Sequence, residues 1–387
     1  MDFKTEHTAP ILAFTVNRKV LLDRLSNVMR AISNQVTIPI LTGIQLKATE
    51  RGLTLTGSDS NITIETFIPI EENGELLLTV EQEGAIVLEA KFFNEIIRKL
   101  PTDNVSVFVT NNLQTTIRSG QSEFQLIGSN ASDYPILPEL EDTQSFDIPG
   151  QLLQSIIKET VFAVSQQETR PVLTGVHWHI RNDALYCVAT DSHRLARRIA
   201  DIPNMPEQFN VVIPGKSLDE LNKILTPQDE TVSVTLTDQQ VLFKTDHVSF
   251  YSRLLEGSYP DTSSLIPEQG ETTVRVKGKA LLQAIDRASL LAREHRNNIV
   301  HFATSEDTLT ITSNSPEVGR VEDVVQATSI TGQQLDISFS AKYMMDALKA
   351  IDSEEVDILF TGPMRPFILT AADSDAVLQL ILPVRTY

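Results

Sequence analysis

The same segment recurs three times along the chain, and a repeat of this length makes the molecule an array of one domain rather than a single large core. From Phe14, F-T-V-N-R-K-V-L-L leads to L-T-G-I-Q-L at Leu41 and to L-T-L-T-G-S-D ending at Asp59. From Phe146, F-D-I-P-G-Q-L-L leads to L-T-G-V-H-W at Leu173 and to L-Y-C-V-A-T-D ending at Asp191, each landmark displaced by 132 residues. A third copy opens at Val274 with V-R-V-K-G-K-A-L-L and runs through I-V-H-F at Ile299 to L-T-I-T-S-N-S ending at Ser315. The second halves repeat as well, from K-F-F-N-E-I-I-R-K-L at Lys91, K-S-L-D-E-L-N-K-I-L at Lys216 and K-Y-M-M-D-A-L-K-A-I at Lys342. Three domains of roughly 125 residues are expected, over 1–138 with an extension at 1–10, 139–268 and 269–387.

With 41% apolar residues in 387, each third can bury its own core without disulfides or metals. The single cysteine, Cys187, lies in the strand-like run 185–189 and reads as a small buried hydrophobe. The first ten residues hold no apolar leader core, and nowhere do about 18 apolar residues run together. A soluble intracellular protein is expected.

A formal net charge of -19 argues at first against a polyanionic partner. Its distribution reverses that inference. Apolar spacing predicts six helices, at 17–32, 91–99, 150–166, 215–224, 277–296 and 341–350, with alternating strands and turn signals such as Glu72-Asn73-Gly74 and Asn182-Asp183 elsewhere. Those helices hold 17 of the 32 Lys and Arg residues and only 8 of the 51 Asp and Glu residues. Helices sharing one surface would make a basic stripe suited to phosphates, backed by acidic sheets. Six helices at about 9 Å spacing close too small a ring for a duplex, whereas twelve leave a hole of about 24 Å around a duplex roughly 20 Å wide. Two copies, head to tail, would supply twelve.

Chemistry of the chain's own is not expected. The sequence contains no G-x-x-x-x-G-K-[ST] loop, no H-E-x-x-H, no paired cysteines and no glycine-rich dinucleotide turn. Asp191, Ser192 and His193 are neighbours whose side chains point apart, and no oxyanion-hole element accompanies them, so a hydrolase triad is disfavoured against a turn in which Asp191 caps backbone amides, as Asp59 would in the first repeat. His177 and His179 share a strand face but have too few partners for a metal, so neither cofactor nor metal is expected.

In their order and spacing, I-P-I-L at Ile38, L-T-L-T-G-S-D at Leu53, A-K-F-F at Ala90, I-R-S-G at Ile117, V-A-T-D-S-H-R-L-A at Val188, L-L-E-G-S-Y-P-D at Leu254, S-N-S-P-E at Ser313 and L-P-V-R at Leu382 closely resemble the bacterial DNA polymerase III beta subunit family, the sliding clamps, from Phe14 to the carboxyl terminus. The resemblance implies an α+β fold of three repeated DNA-clamp domains, each with two helices on an inner face and antiparallel β-sheets outside, joined as a head-to-tail dimeric ring in the bacterial cytoplasm. It implies sequence-independent encircling of double-stranded DNA, with the replicative DNA polymerase, the clamp-loader ATPase and other replication and repair proteins bearing a clamp-binding motif as partners, and no membrane. A repeat-built interaction scaffold that never encircles DNA is the alternative, and an enzyme of unknown type a third reading.

The resemblance also implies site residues. Arg98, Gln167, Arg170, Lys216 and Lys223 would face DNA; Arg30 and Lys99 join them on helix charge alone. Leu173, Thr190, His193, Arg194, Leu195, Pro260, Leu265, Met364, Pro366, Leu380, Leu382, Pro383, Val384 and Arg385 would form a client-peptide groove, aliphatic and proline-lined with two arginines at its rim, suited to an extended peptide with an apolar or aromatic tail. Phe124 and Leu126 would meet the partner's Leu290 and Leu291 across the ring joint, with Lys91 near Glu317. Gln121 and Asp323 would face each other there.

Overall fold

Alternation of buried and more exposed side chains, as in Ile62–Pro69 and Thr231–Leu236, makes antiparallel strand with one face turned to a core the commonest element of the chain. The computed structural model describes residues 9–33, 35, 37–135, 143–167, 169–292, 298–315 and 318–385. They form two compact units. Unit 1 takes the chain up to Gly150 together with Lys223–Arg253; unit 2 takes Gln151–Asn222 and the chain from Leu254 onward. The middle repeat thus contributes strands to both.

Among the described residues unit 1 carries two large sheets and a two-stranded ribbon of Glu71–Glu72 with Glu75–Leu76. In the five-stranded one, Leu12–Asn17 lies between Asn104–Val109 and Leu78–Gln82, and Ser122–Ile127 is an outer strand. The eight-stranded one runs from Gln144–Pro149 to Gly84–Glu89 and joins two repeats where Val248–Arg253 pairs with Ile62–Pro69. Unit 2 holds one twelve-stranded sheet in which Ser374–Ile381 pairs with Arg194–Ala200. Its core includes the touching rings of Phe302, Phe339, Phe360 and Phe367, with centroids 5.0 to 5.9 Å apart.

The helices are α1 (Arg18–Val28), α2 (Ala90–Lys99), α3 (Gly150–Thr160), α4 (Gly215–Ile224), α5 (Gly278–Ala292) and α6 (Ala341–Ile351). The side chain of Asn17 starts α1 by accepting from the amides of Lys19 and Val20, at 3.0 and 3.3 Å. Leu21, Leu25 and Val28 then seat the helix on the sheet at Gly57, where a Cβ would lie 2.6 Å from Val28.

Two expected helices are shorter than their apolar spacing predicts. The segment predicted at 17–32 tightens into a 3-10 turn at Met29–Ala31, and that at 150–166 does so at Val161–Ala163. In α3 the cause is local, because the Thr160 hydroxyl donates back to the Ile156 carbonyl at 2.7 Å and draws the last turn inward. The stretch 293–296, predicted as the end of the fifth helix, lies outside the described residues. Both turn signals are turns, with Asn73, Gly74, Asn182 and Asp183 all left-handed.

Candidate functional site

The groove expected from the last two repeats lies wholly within unit 2. It is organised by the turn between the strands Ala184–Thr190 and Arg194–Ala200. Asp191 Oδ1 accepts from the amides of His193 and Arg194 at 2.9 and 3.0 Å, the Thr190 hydroxyl donates to the Arg194 carbonyl at 2.6 Å, and Ser192 sits left-handed at the corner. Asp191 is therefore a turn cap and an ion-pair partner. The amide of Leu382 donates to the His193 carbonyl at 3.0 Å, and that of Val384 to the Ser338 carbonyl at 2.8 Å, which lays the carboxyl-terminal segment along this turn.

Side chains expected to line the groove divide into floor and surface. Leu195 and Leu380 face each other across paired strands and pack with Val188, Ile368 and Leu378; Leu173 and Thr190 are also buried. Leu265, Met364 and Leu382 are 52%, 50% and 37% exposed, far more than large apolar side chains need be unless something covers them. His193, Pro260 and Arg385 are exposed, and Pro366, Pro383 and Val384 half-buried.

Arg194 departs from its expected place at the rim. Its side chain is only 9% exposed, with Nε 3.1 Å from Asp191 Oδ2, one terminal nitrogen 2.7 Å from Asp346 Oδ2 and the other donating to the Phe162 carbonyl. The guanidinium also lies over the rings of Tyr343 and Phe162, at 4.5 and 5.2 Å. A buried guanidinium must be neutralised and hydrogen-bonded, so Arg194 is held as a brace under the turn, leaving Arg385 as the cation at the surface.

Asp346, Phe162 and Tyr259 were not anticipated. Of these, Tyr259 had a signal: the Tyr-Pro pair occurs at Tyr134-Pro135 and again at Tyr259-Pro260. Its hydroxyl accepts the Thr190 amide at 3.1 Å, and burial raises its pKa. The Tyr259 ring stacks on His177, which stacks on His179 at 4.4 Å and bonds Asn210 at 2.7 Å. Burial, reinforced by the charges of His177 and Arg181, pushes His179 down to about 4; burial also lowers His177. The two histidines form part of an aromatic stack.

All seven residues expected to face DNA are exposed: Arg30, Arg98, Lys99, Gln167, Arg170, Lys216 and Lys223. Arg98, Lys99 and Lys223 lie in the last turns of α2 and α4, where a cation also complements the helix dipole. Lys216 lies at the opposite, positive end of α4, where the dipole disfavours it, so local structure gives no reason for its charge. Arg30 and Lys223 line a cavity of 790 Å³ in unit 1 together with Arg24 and the carboxylates Asp23, Asp229, Glu230 and Asp246.

Residues expected at the ring joint fall in both units. In unit 1, the outer strand Ser122–Ile127 presents Phe124, 39% exposed, beside half-buried Leu126, and Lys91 is exposed at the start of α2. In unit 2, Leu290 is 61% exposed and Leu291 half-buried near the end of α5. Glu317 lies outside the described residues. Asp323 is engaged within its own unit, 2.5 Å from Arg287 Nε. Ile127 and Val324, 87% and 58% exposed, add apolar surface that sequence reading did not single out.

Comparison with known proteins assigns nearly all of the chain, within residues 12–385. The N-terminal, central and C-terminal domains of the DNA polymerase III beta subunit match residues 12–138, 147–261 and 263–385. The chain belongs to the DNA polymerase III beta subunit family. The beta sliding clamp of Bacillus subtilis is 52% identical over 379 residues, covering 97% of this chain and 100% of the relative; that of Staphylococcus aureus is 47% identical over 377 residues with the same coverage. The crystal structure of the Bacillus subtilis clamp superposes with a TM-score of 0.94 at 51% identity, over 97% of this chain and 100% of that one. A sliding clamp from Pseudomonas aeruginosa bound to griselimycin superposes with a TM-score of 0.90 at 28% identity and the same coverage. Against this family, the exposed cations and the uncovered Leu265, Met364 and Leu382 are surface features of a beta subunit.

Proposed function

We infer that this protein is a DNA sliding clamp, a ring-shaped homodimer that encircles duplex DNA and tethers the replicative polymerase to it. The observation that carries the reading is the match of three successive beta-subunit domains, in order, across the chain. Electrostatics supports it. Helices rich in cations on a chain of net charge -19 suit phosphate contacts, which hold a duplex without reading its sequence and leave the protein able to slide. Retention then comes from topological linkage, and the protein needs no chemistry of its own.

Domains spanning 1–138, 139–268 and 269–387 are proposed on the same basis, with Arg30, Arg98, Lys99, Gln167, Arg170, Lys216 and Lys223 toward DNA. The unit 2 groove is proposed as the client site, with Leu265, Met364 and Leu382 as its uncovered apolar anchors over a floor of Leu173, Leu195 and Leu380. The polymerase, the clamp-loading ATPase and other proteins carrying the same short motif are its proposed partners in the bacterial cytoplasm. Phe124 and Leu126 against Leu290 and Leu291 form the proposed seam. Small-angle scattering coupled to size exclusion at micromolar concentration tests the ring: a particle of twice 43.0 kDa with a hollow profile is expected. A 43.0 kDa monomer would remove the topological mechanism.

A further inference from the structure

Unit 1 contains a cavity of 340 Å³ built around a turn that repeats the backbone hydrogen bonds of the unit 2 turn. At its centre is the turn between the strands Gly52–Ser58 and Ile62–Pro69. Asp59 Oδ1 accepts from the amides of Asn61 and Ile62 at 3.0 and 2.8 Å, as Asp191 does from His193 and Arg194. Ser58 Oγ donates to the Ile62 carbonyl at 3.2 Å, as Thr190 does to that of Arg194, and Ser60 is left-handed like Ser192. The amide of Arg253 donates to the Asn61 carbonyl at 2.9 Å, where that of Leu382 donates to His193. Tyr134 stands where unit 2 has Tyr259, its hydroxyl donating to the Gly43 carbonyl at 3.4 Å while that of Tyr259 accepts the Thr190 amide at 3.1 Å. Strand pairing repeats too, with Ser252 opposite Ile62 where Ile381 is opposite Arg194.

The same backbone carries different side chains. Hydroxyls and an amide stand where unit 2 has two leucines and a histidine: Thr63 for Leu195, Tyr251 for Leu380 and Asn61 for His193. Leu41 and Tyr134 form an apolar floor, and Ile38 is 44% exposed at the edge. Among the described residues Arg253, which replaces Leu382, is the sole charged side chain lining the cavity, and its guanidinium has no ion-pair partner there. Charge complementarity therefore selects an anionic occupant.

We propose that this cavity is a second peptide-binding site, quasi-equivalent to the client groove, that takes a short extended peptide pairing one apolar or aromatic side chain with a carboxylate. The side chain packs against Leu41, Tyr134 and Ile38, the hydroxyls of Ser60 and Thr63 bond the peptide backbone, and Arg253 binds the carboxylate. The proposal rests on reading the unit 2 groove as a client site, and the two are separable by experiment.

The probe is the tripeptide acetyl-Asp-Leu-Phe, added to the full-length protein and to two variants, with hydrogen-exchange mass spectrometry read at 58–63 and 248–253 in unit 1 and at 190–195 and 374–382 in unit 2. Protection of the unit 1 segments is expected, surviving in Met364→Asp/Leu382→Asp and weakening about tenfold in affinity in Arg253→Glu, the loss of a charge-assisted contact. Protection at unit 2 alone overturns the second site and leaves the client groove standing. Protection nowhere overturns both, and protection at unit 1 unchanged by Arg253→Glu overturns the carboxylate assignment. Thermal melting of Arg253→Glu, whose side chain is exposed and unpaired among the described residues, controls for misfolding.

Discussion

The turns at Ser58–Thr63 and Thr190–Leu195 share their backbone hydrogen bonds and differ in what stands beneath them. In unit 1 the residue bearing the second capped amide is Ile62, 2% exposed, whose side chain is satisfied by packing alone. In unit 2 it is Arg194, also buried, which is held by Asp191, Asp346 and the Phe162 carbonyl. One backbone design thus tolerates an apolar or an ionic support. The ionic version ties the turn to α6 through Asp346, so in unit 2 the groove's geometry depends on a network that unit 1 does without.

Removing the shared cap from each turn tests this directly. Asp191→Ala should cost about 3 kcal/mol, because it also removes one of the two carboxylates that hold a buried guanidinium, whereas Asp59→Ala should cost about 1 kcal/mol for cap bonds alone. Urea unfolding of the two variants measures the difference, and equal costs would mean the arginine network adds nothing. Next in size, Met364→Ala should weaken polymerase binding by about 2 kcal/mol as a hot-spot truncation. Tyr251→Ala, at the position equivalent to Leu380, should leave polymerase affinity within about twofold by surface plasmon resonance, since it touches only the other cavity.

A third comparison sets helix charge against groove chemistry. Arg98→Glu with Lys99→Glu should reduce the slope of log affinity for DNA against log salt by about 2, at about 0.9 per phosphate contact, and leave polymerase-peptide binding unchanged. A scaffold that never meets DNA would show no change in either.

The smallest effect is titration. His177 and His179 correspond to Gln45 and Lys47 in the first repeat, so the histidine stack belongs to unit 2 alone. Burial lowers both from 6.5, His179 to about 4, so the unfolded chain takes up these protons first. Their stabilisation is complete above pH 6.5 and is lost as pH falls toward about 4. The urea midpoint should drop across that window, and His179→Gln should flatten the drop; a profile unchanged by the substitution would contradict it.

Much of this architecture was legible in the chain. Repeat spacing, apolar periodicity and the turn dipeptides all act over a few residues, so the strands, six helices and both Asp caps could be read from order alone. Six of the seven proposed DNA contacts are Lys or Arg and could be expected to be exposed because charged side chains resist burial. Leu195 and Leu380 could be placed in one groove only through family resemblance, since nothing local says that strands 185 residues apart in number will pair.

What the sequence determined by itself was a threefold α+β repeat with cationic helices, because those features follow from local propensity and composition. Tertiary structure alone decided which side chains those repeats would use. It turned Arg194 inward between two carboxylates, left Leu265, Met364 and Leu382 uncovered, and set Arg253 at the mouth of a second cavity. Burial and pairing are properties of neighbours distant in the chain, and no local pattern specifies them.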